Sequence, residues 1–503
     1  LIILLYKNKN KFSLYILTNK TKIISTIKIK RELFLILFLY KKMIKKYFIS
    51  LFILLFNCTQ DSIDNNKKSN GDLLNNKVLN IAPNGSEKYL NYNSDYIFDQ
   101  KKLRTYDLIL PKSSLAEIDS DPVAEEYVEG MLVFEEDTIS PVGIRYKGSI
   151  GAFVGCTSGP DFSNPSGYKT CTKLSMKVKI NWKGRDEKFF NLKKLQFHSQ
   201  NLDDSKFHER LGYWLFREMG VMAPRSVHAR LNINGEFSGV YALTEQIDSQ
   251  FVEYNFQDNT GNLYKEIWPI DFEGNIQTDQ SLEKSLRTNE DENFSFEIIK
   301  SFAKQILESK DEITLKEVIN SRMDVDKIIS LIVVDRLIRN DDGPFHWYCD
   351  ENNFCSNHNY YWYEEPSTEK LHLIPWDLDN AFENIVFSTN PVTPIADNFG
   401  EITNNCEPFE FGPWNIKQWS ASCDKLTKGW TFFSDELLNN KVNFLNGPFD
   451  ENLVNNIINE WIDQIESSIL EESEAHSDAT SFEKWKGSVD YLFSQLSFVR
   501  KSN

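Results

Sequence analysis

Residues 172–180 read TKLSMKVKI. In an extended chain successive side chains point to opposite faces. Leu174, Met176, Val178 and Ile180 therefore share one side, and Lys173, Ser175, Lys177 and Lys179 the other. The apolar face needs a sheet and a core to cover it. The lysine face has two readings, a solvated edge or a surface that meets phosphate. Working outward, LRTYDLILP at 103–111, VGIRYK at 142–147 and NLKKLQFHS at 191–199 also read as strands. Asn234-Gly235 marks a hairpin turn within VHARLNINGEFSGVYALTEQID. GNLYKEI at 261–267 reads as one more strand.

One helix interrupts this β-rich half, at DDSKFHERLGYWLFREMG. Asp204 or Ser205 is its expected N-cap and Gly220 its stop. Glu209, Gly212 and Phe216 share one face, and Phe207, Leu211, Trp214 and Leu215 another, so the helix should be covered on two sides. After about residue 280 the period changes. NFSFEIIKSFAKQILES and MDVDKIISLIVVDRLIRN carry apolar residues at helical spacing. HNYYWYEE and KLHLIPWDLDNAF are strand-like runs joined by a Pro-Ser turn, and the chain from about 434 is helical.

Of 503 residues, 41 % are apolar and 13 % aromatic, enough for large cores, which rules out disorder throughout. The length suggests two or three domain-sized units. The formal charge is −17, yet residues 1–57 hold twelve Lys/Arg and one acid, Glu32. The remainder has 44 basic and 72 acidic residues, a net of −28. Such a body repels phosphate at long range and is no nucleic-acid binder; it suits a basic partner or metal ions.

The first methionine is Met43. Residues 1–42 are expected to be an over-extended reading frame or the product of a non-standard start. MIKKYFISLFILLFNC then has a basic n-region and a short apolar h-region, the pattern of a signal peptide over 43–57. Cys58 is the candidate lipidation site of a bacterial lipoprotein; the rival is an uncleaved membrane anchor. Both place the body outside the cytoplasm, in the periplasm or at the cell surface. Residues 58–95 read as a polar tether. The other cysteines form three sequence-local pairs, Cys156/Cys171, Cys349/Cys355 and Cys406/Cys423. An even count in an exported chain favours disulfides, and short loops close at low entropic cost. No CxxC supports a zinc site.

The densest polar cluster runs from Asn340 to Asp379. It holds Asn340-Asp341-Asp342-Gly343, His358-Asn359 and Trp376-Asp377-Leu378-Asp379. Hard oxygen donors of this kind suit Mg²⁺ or Mn²⁺, with Ca²⁺ as an alternative. An Asp that orients a hydroxyl, with an Asn and a later Asp on metal, are the parts of a phosphoryl-transfer site. Taken singly, Asn-Asp-Asp-Gly reads as a turn, and Asp377 and Asp379 as a cap and a calcium ligand.

The order of these landmarks, from YKGSIG and TKLSMKVKI through GEFSGVYALTEQID and RNDDG to IPWDLDNAF, resembles the spore coat protein H (CotH) kinase family. The resemblance spans roughly 100–390 and implies an α+β, two-lobed protein-kinase-like fold. The β-rich lobe, with one helix, would cover 96–268 and the helical lobe 269–503. It further implies ATP as cofactor and transfer of the γ-phosphoryl group to Ser or Thr of a protein. Lys147 stands where the family usually has Arg, keeping the charge without the bidentate fork. Lys173 and Lys177 are the candidates for the phosphate lysine, with Lys193 and Lys194 as rivals and Glu209 as its partner. Glu245 to Ile247 would form the hinge beside adenine. Asp342 would be the catalytic Asp, and Asn359, Asp377 and Asp379 the metal side chains. Asp342 and Asn359 stand seventeen residues apart rather than about five, with Cys349 and Cys355 between them. If that insertion fills the cleft, the alternative is an inactive surface-anchored binding protein or adhesin.

Overall fold

The computed structural model describes residues 94–149, 151–160, 164–290, 295–340, 342–382, 405–411 and 415–503, together with isolated strands between residues 2 and 91. The chain divides into two compact units, Leu1–Asp72 and Leu73–Asn503. In the first, Ile2–Asn8 pairs antiparallel with Lys11–Thr18, which pairs with Thr21–Lys22. The expected signal peptide and Cys58 lie outside the described residues. In the second, Lys77–Ile81 pairs with Glu87–Asn91, inside the stretch read as tether. The body is engaged from Ser94, whose hydroxyl accepts a hydrogen bond from buried Arg225.

Seven strands then close a barrel: β1 Arg104–Ile109, β2 Val128–Phe134, β3 Asp137–Tyr146, β4 Met176–Lys179, β5 Lys194–His198, β6 Ser226–Ile233 and β7 Glu236–Thr244. Their order is β5-β7-β6-β1-β2-β3-β4, with β4 pairing back to β5. Every pair is antiparallel except β6 with β1. The alternation read in the sequence is the inside–outside alternation of this barrel. Leu108, Phe134, Ile144, Met176, Val178, Phe197, Leu231 and Leu243 fill its interior. The solvated-edge reading of TKLSMKVKI is thereby corrected: β4 lies between β3 and β5, and a closed barrel has no edge. Asn234 and Gly235 turn β6 into β7 with φ of 53° and 83°. Both values belong to the primed turn that matches strand twist.

Among the described residues, eleven helices complete a mixed α+β fold. Among them, α1 is Lys112–Ser120, α2 His208–Glu218, α3 Ser249–Asn255 and α4 Asp279–Ser285. Next come α5 Glu297–Glu308, α6 Glu312–Arg322, α7 Val325–Leu337, α8 Lys425–Thr431 and α9 Ser434–Asn446. The last two are α10 Glu451–Ala475 and α11 Phe482–Ser502. Two small sheets lie among them. β8 Leu263–Lys265, β11 Tyr360–Glu365 and β12 Lys370–Pro375 form one, so the strand read at GNLYKEI pairs with the later strand runs and not with the barrel. β9 Trp347–Cys349, β10 Cys355–Ser356, β13 Phe409–Phe411 and β14 Ile416–Trp419 form the other.

Three apolar cores lie among the described residues. One is the barrel interior. A second joins Phe207, Leu211 and Leu215 of the α2 region to α5–α7 and to Trp461 and Trp485 of the last helices, and a third packs Phe251 and Phe256 against Leu263, Tyr361, Tyr363 and Ile374. Helix α2 is thus covered on both faces. Its N-cap position is Phe207 rather than Asp204 or Ser205; the Ser205 hydroxyl accepts the Phe207 N–H at 3.2 Å, and Asp203 organises the turn before it. The Asp203 carboxylate accepts the backbone N–H groups of Ser205, Lys206 and His208 at 2.8, 3.0 and 2.9 Å. The three disulfides pair as expected, Cys156–Cys171, Cys349–Cys355 and Cys406–Cys423. No helix among the described residues is long and apolar enough to cross a membrane.

Candidate functional site

A cleft of about 560 Å³ opens between the barrel and the loops after α7 and β12. Its size is that of a small-molecule pocket. Barrel residues Arg145, Lys147, Lys177 and Lys194 line one wall. Glu209 of α2 and Asp342, Asp377 and Asp379 line the other. In so acidic a body, a basic wall facing a carboxylate wall suits a polyanion bridged by a cation.

Helix α2 organises the acidic wall, because four residues of one stretch reach it. Glu209 points to His198 at the end of β5. The Tyr213 hydroxyl accepts the Asp377 backbone N–H at 2.9 Å. His208 Nδ1 lies 2.8 Å from the Asp379 carbonyl oxygen. Gly212 lets the 376–380 loop press against the helix: a Cβ there would sit 2.8 Å from Leu378 Cδ1. Asp377 itself turns with φ of 56°. Burial raises the pKa of both carboxyls. The Asp379 carboxyl is held well above the ordinary carboxylate range, burial being reinforced by Asp377, Glu209 and Asp342. For Asp377, burial is partly opposed by Lys147.

The sixteen residues between Asp342 and Asn359 do not hold them apart. Asn359 Nδ2 donates to the Asp342 carbonyl at 2.9 Å and to its carboxylate at 2.8 Å. His358 Nε2 meets the other carboxylate oxygen at 3.0 Å. Burial opposes the charge on His358, but Asp342 more than restores it and leaves its pKa raised. The inserted segment folds away as the hairpin β9–β10, clasped by Cys349–Cys355. None of the described residues 343–360 lines the cleft. Tyr348 of that hairpin stacks on the His358 ring, with centroids 4.9 Å apart.

The lysines sort differently from expectation. Lys173 is not in the cleft. Its ammonium is buried against Glu472 of α10 at 2.8 Å and the Val240 carbonyl at 2.7 Å. Lys177 lines the cleft, and burial together with Lys147, Arg145 and Lys194 lowers its pKa to about 7. Lys194 also lines it and lies 3.8 Å from Asp248, whereas Lys193 does not line it. Glu209 meets no lysine directly: His198 Nδ1 lies 2.8 and 2.9 Å from its two oxygens. Lys147 Nζ lies 2.7 Å from the other ring nitrogen of that histidine. The Glu245 side chain turns away from the cleft and pairs with Arg225, leaving Gln246 on the cleft wall.

Sequence reasoning gave no role to His198, His208 or His358. His358 did stand in the polar cluster beside Asn359; for His198 and His208 the sequence offered only the rarity of histidine, seven in the chain. For a cation, the donor chemistry fits while the donor count is short. Among the described residues no three His, Cys, Asp or Glu side chains form a metal site. Mg²⁺ fits such a set, since one or two carboxylates normally share it with phosphate and water.

The sequence profile of the CotH kinase protein family matches residues 144–501. Among solved structures, the proinflammatory kinase CtkA of Helicobacter pylori is similar at 14 % identity, covering 65 % of this chain and 96 % of that one. Its TM-score is 0.21, a likeness too weak to argue from. No curated protein matches the chain. The profile match extends over more than half of the sequence, and the chain belongs to the CotH kinase family.

Proposed function

We propose that the chain is a metal-dependent protein kinase that moves the γ-phosphoryl group of ATP to a Ser or Thr hydroxyl of a protein. One observation carries this reading. Asp342, held by Asn359 and His358, shares a cleft with Lys147, and Lys147 is tied through His198 to Glu209.

Each residue then has a physical task. Asp342 orients the acceptor hydroxyl and takes its proton as the hydroxyl oxygen attacks phosphorus. Asn359 and His358 keep its carboxylate aimed, which is the positioning such catalysis depends on. Asp377 and Asp379 are the carboxylates for Mg²⁺ or Mn²⁺. Asn359 gives its amide nitrogen to Asp342, so only its carbonyl oxygen is left for a cation. Bound ATP supplies the phosphoryl group, and the cation neutralises its charge. Lys147 and Lys177 offset phosphate charge from the barrel wall. Gln246 and the backbone of 245–247 border the base.

A cleft filled by the insertion would have favoured the adhesin alternative; that none of the described residues 343–360 lines it supports the kinase reading. Three disulfides fit an oxidising compartment, in keeping with a body exported and tethered through Cys58. A basic acceptor protein fits the acidic body, with charge speeding encounter more than selecting the residue.

The test uses the full, disulfide-intact chain with ATP, Mg²⁺ or Mn²⁺ and a basic Ser/Thr-containing acceptor. Asp342→Asn should bind ATP and fail to transfer. Asp379→Ala should lose metal-dependent ATP binding. If the intact protein binds no ATP with either cation, the reading is wrong.

A further inference from the structure

We propose that His198 is a positioning residue which couples Glu209 to Lys147, so that the principal phosphate-binding cation of this cleft comes from the end of β3. The inference rests on the nucleotide reading above and deepens it.

The hydrogen-bond inventory sets the direction of the relay. The Glu209 carboxylate can only accept, so His198 Nδ1, 2.8 Å away, carries the proton. The lysine ammonium can only donate, so Nε2, 2.7 Å from Lys147 Nζ, presents its lone pair. A ring with two N–H groups would confront Lys147 with a donor. The Nδ1–H tautomer is therefore the one that satisfies all three groups. One ammonium N–H is tied to the imidazole, and the other two are left for the cleft.

The barrel fixes both ends. Lys147 donates its backbone N–H to the Ser175 carbonyl at 2.9 Å, and the Ser199 N–H donates to Ser175 Oγ at 2.9 Å. Lys147 and His198 are thus neighbours across the start of β4. Trp376 closes the other side, with its ring edge-on to His198 at 5.8 Å and beneath Lys147 at 5.8 Å. Because Trp376 precedes Asp377, the relay abuts the loop that bears the metal carboxylates. Lys177 and Lys194 face the same cleft, but neither joins Glu209. Among the described residues no lysine or arginine pairs with Glu209 directly.

The test has two arms on the full-length oxidised protein. In the first, nitrogen-15 NMR of labelled histidines reads the His198 tautomer without nucleotide. A proton on Nδ1 is expected, with that preference weakened when both partners are removed in Glu209→Ala/Lys147→Met. A wild-type proton on Nε2 overturns the coupling, whatever the protein does with ATP. In the second, ATP affinity is titrated. His198→Ala should weaken ATP at least tenfold. His198→Lys, which brings an ammonium to Glu209, should recover most of that loss and make Lys147→Ala tolerable. Unchanged affinity in folded His198→Ala overturns the proposal. If the wild type binds no ATP, the kinase reading fails, and the first arm alone decides the coupling.

Discussion

Replacing Lys173 with Met separates a structural lysine from a catalytic one. Lys173 and Glu472 form an ion pair at 2.8 Å with side-chain exposures of 8 % and 7 %. The second Glu472 oxygen accepts the Val240 backbone N–H at 2.6 Å. Gly239, with φ of 143°, makes room for the pair: a Cβ there would lie 2.7 Å from the Glu472 carboxyl and 2.9 Å from Lys173 Cδ. Burial alone would raise the Glu472 carboxyl, but Lys173 and then Lys206 pull it below its ordinary value. Its stabilisation is therefore present above the unfolded carboxylate range and is lost as pH falls through the folded value. Lys173→Met strands that carboxylate, and breaking one side of a buried pair costs about 3–5 kcal/mol. That is a large share of a total stability of about 5–15 kcal/mol. Adding Glu472→Gln removes the stranded charge and keeps an oxygen for Val240, so the double variant should regain about 2 kcal/mol or more. Urea unfolding followed by tryptophan fluorescence measures both, with ATP titration in the absence of urea as control. A Lys173→Met protein as stable as its parent that has lost ATP binding would refute the reasoning and return Lys173 to the site.

Two further outcomes follow from the same cleft. Phosphate arriving beside Lys177, whose pKa is about 7 in the free protein, raises that pKa. ATP binding near pH 8 should then take up a proton, and affinity should fall as pH rises through 7; calorimetry in buffers of differing ionisation enthalpy reads the uptake, and none in the wild type excludes Lys177. Replacing Cys349 and Cys355 with Ser opens a loop of sequence separation 6, worth about 2 kcal/mol by loop entropy, and frees the hairpin bearing Tyr348. Phosphoryl transfer should drop more than ATP affinity, because Tyr348 backs His358 and through it Asp342; equal losses in both would contradict that.

What the sequence determined by itself was local. Strand alternation, the Asn234-Gly235 turn, the helix ending before Gly220 and three short-range disulfides all depend on residues close together in the chain. They were legible because their energetics are settled within a few residues. The order of landmarks also pointed to the family and to the stretches that build the cleft. Only the tertiary structure decided how these pieces meet. The parallel pairing of Ala229–Ile233 with Arg104–Leu108 closes the barrel across more than a hundred residues, which turned an apparent edge into a wall. The return of α10 placed Glu472 beside Lys173 and withdrew that lysine from the site. The hairpin between Asp342 and Asn359 brought its ends together rather than apart. Four lysines of similar local setting were distinguished by whichever acid lay opposite in space. Charge interactions act through distance and burial, and spacing along the chain specifies neither until the chain has folded.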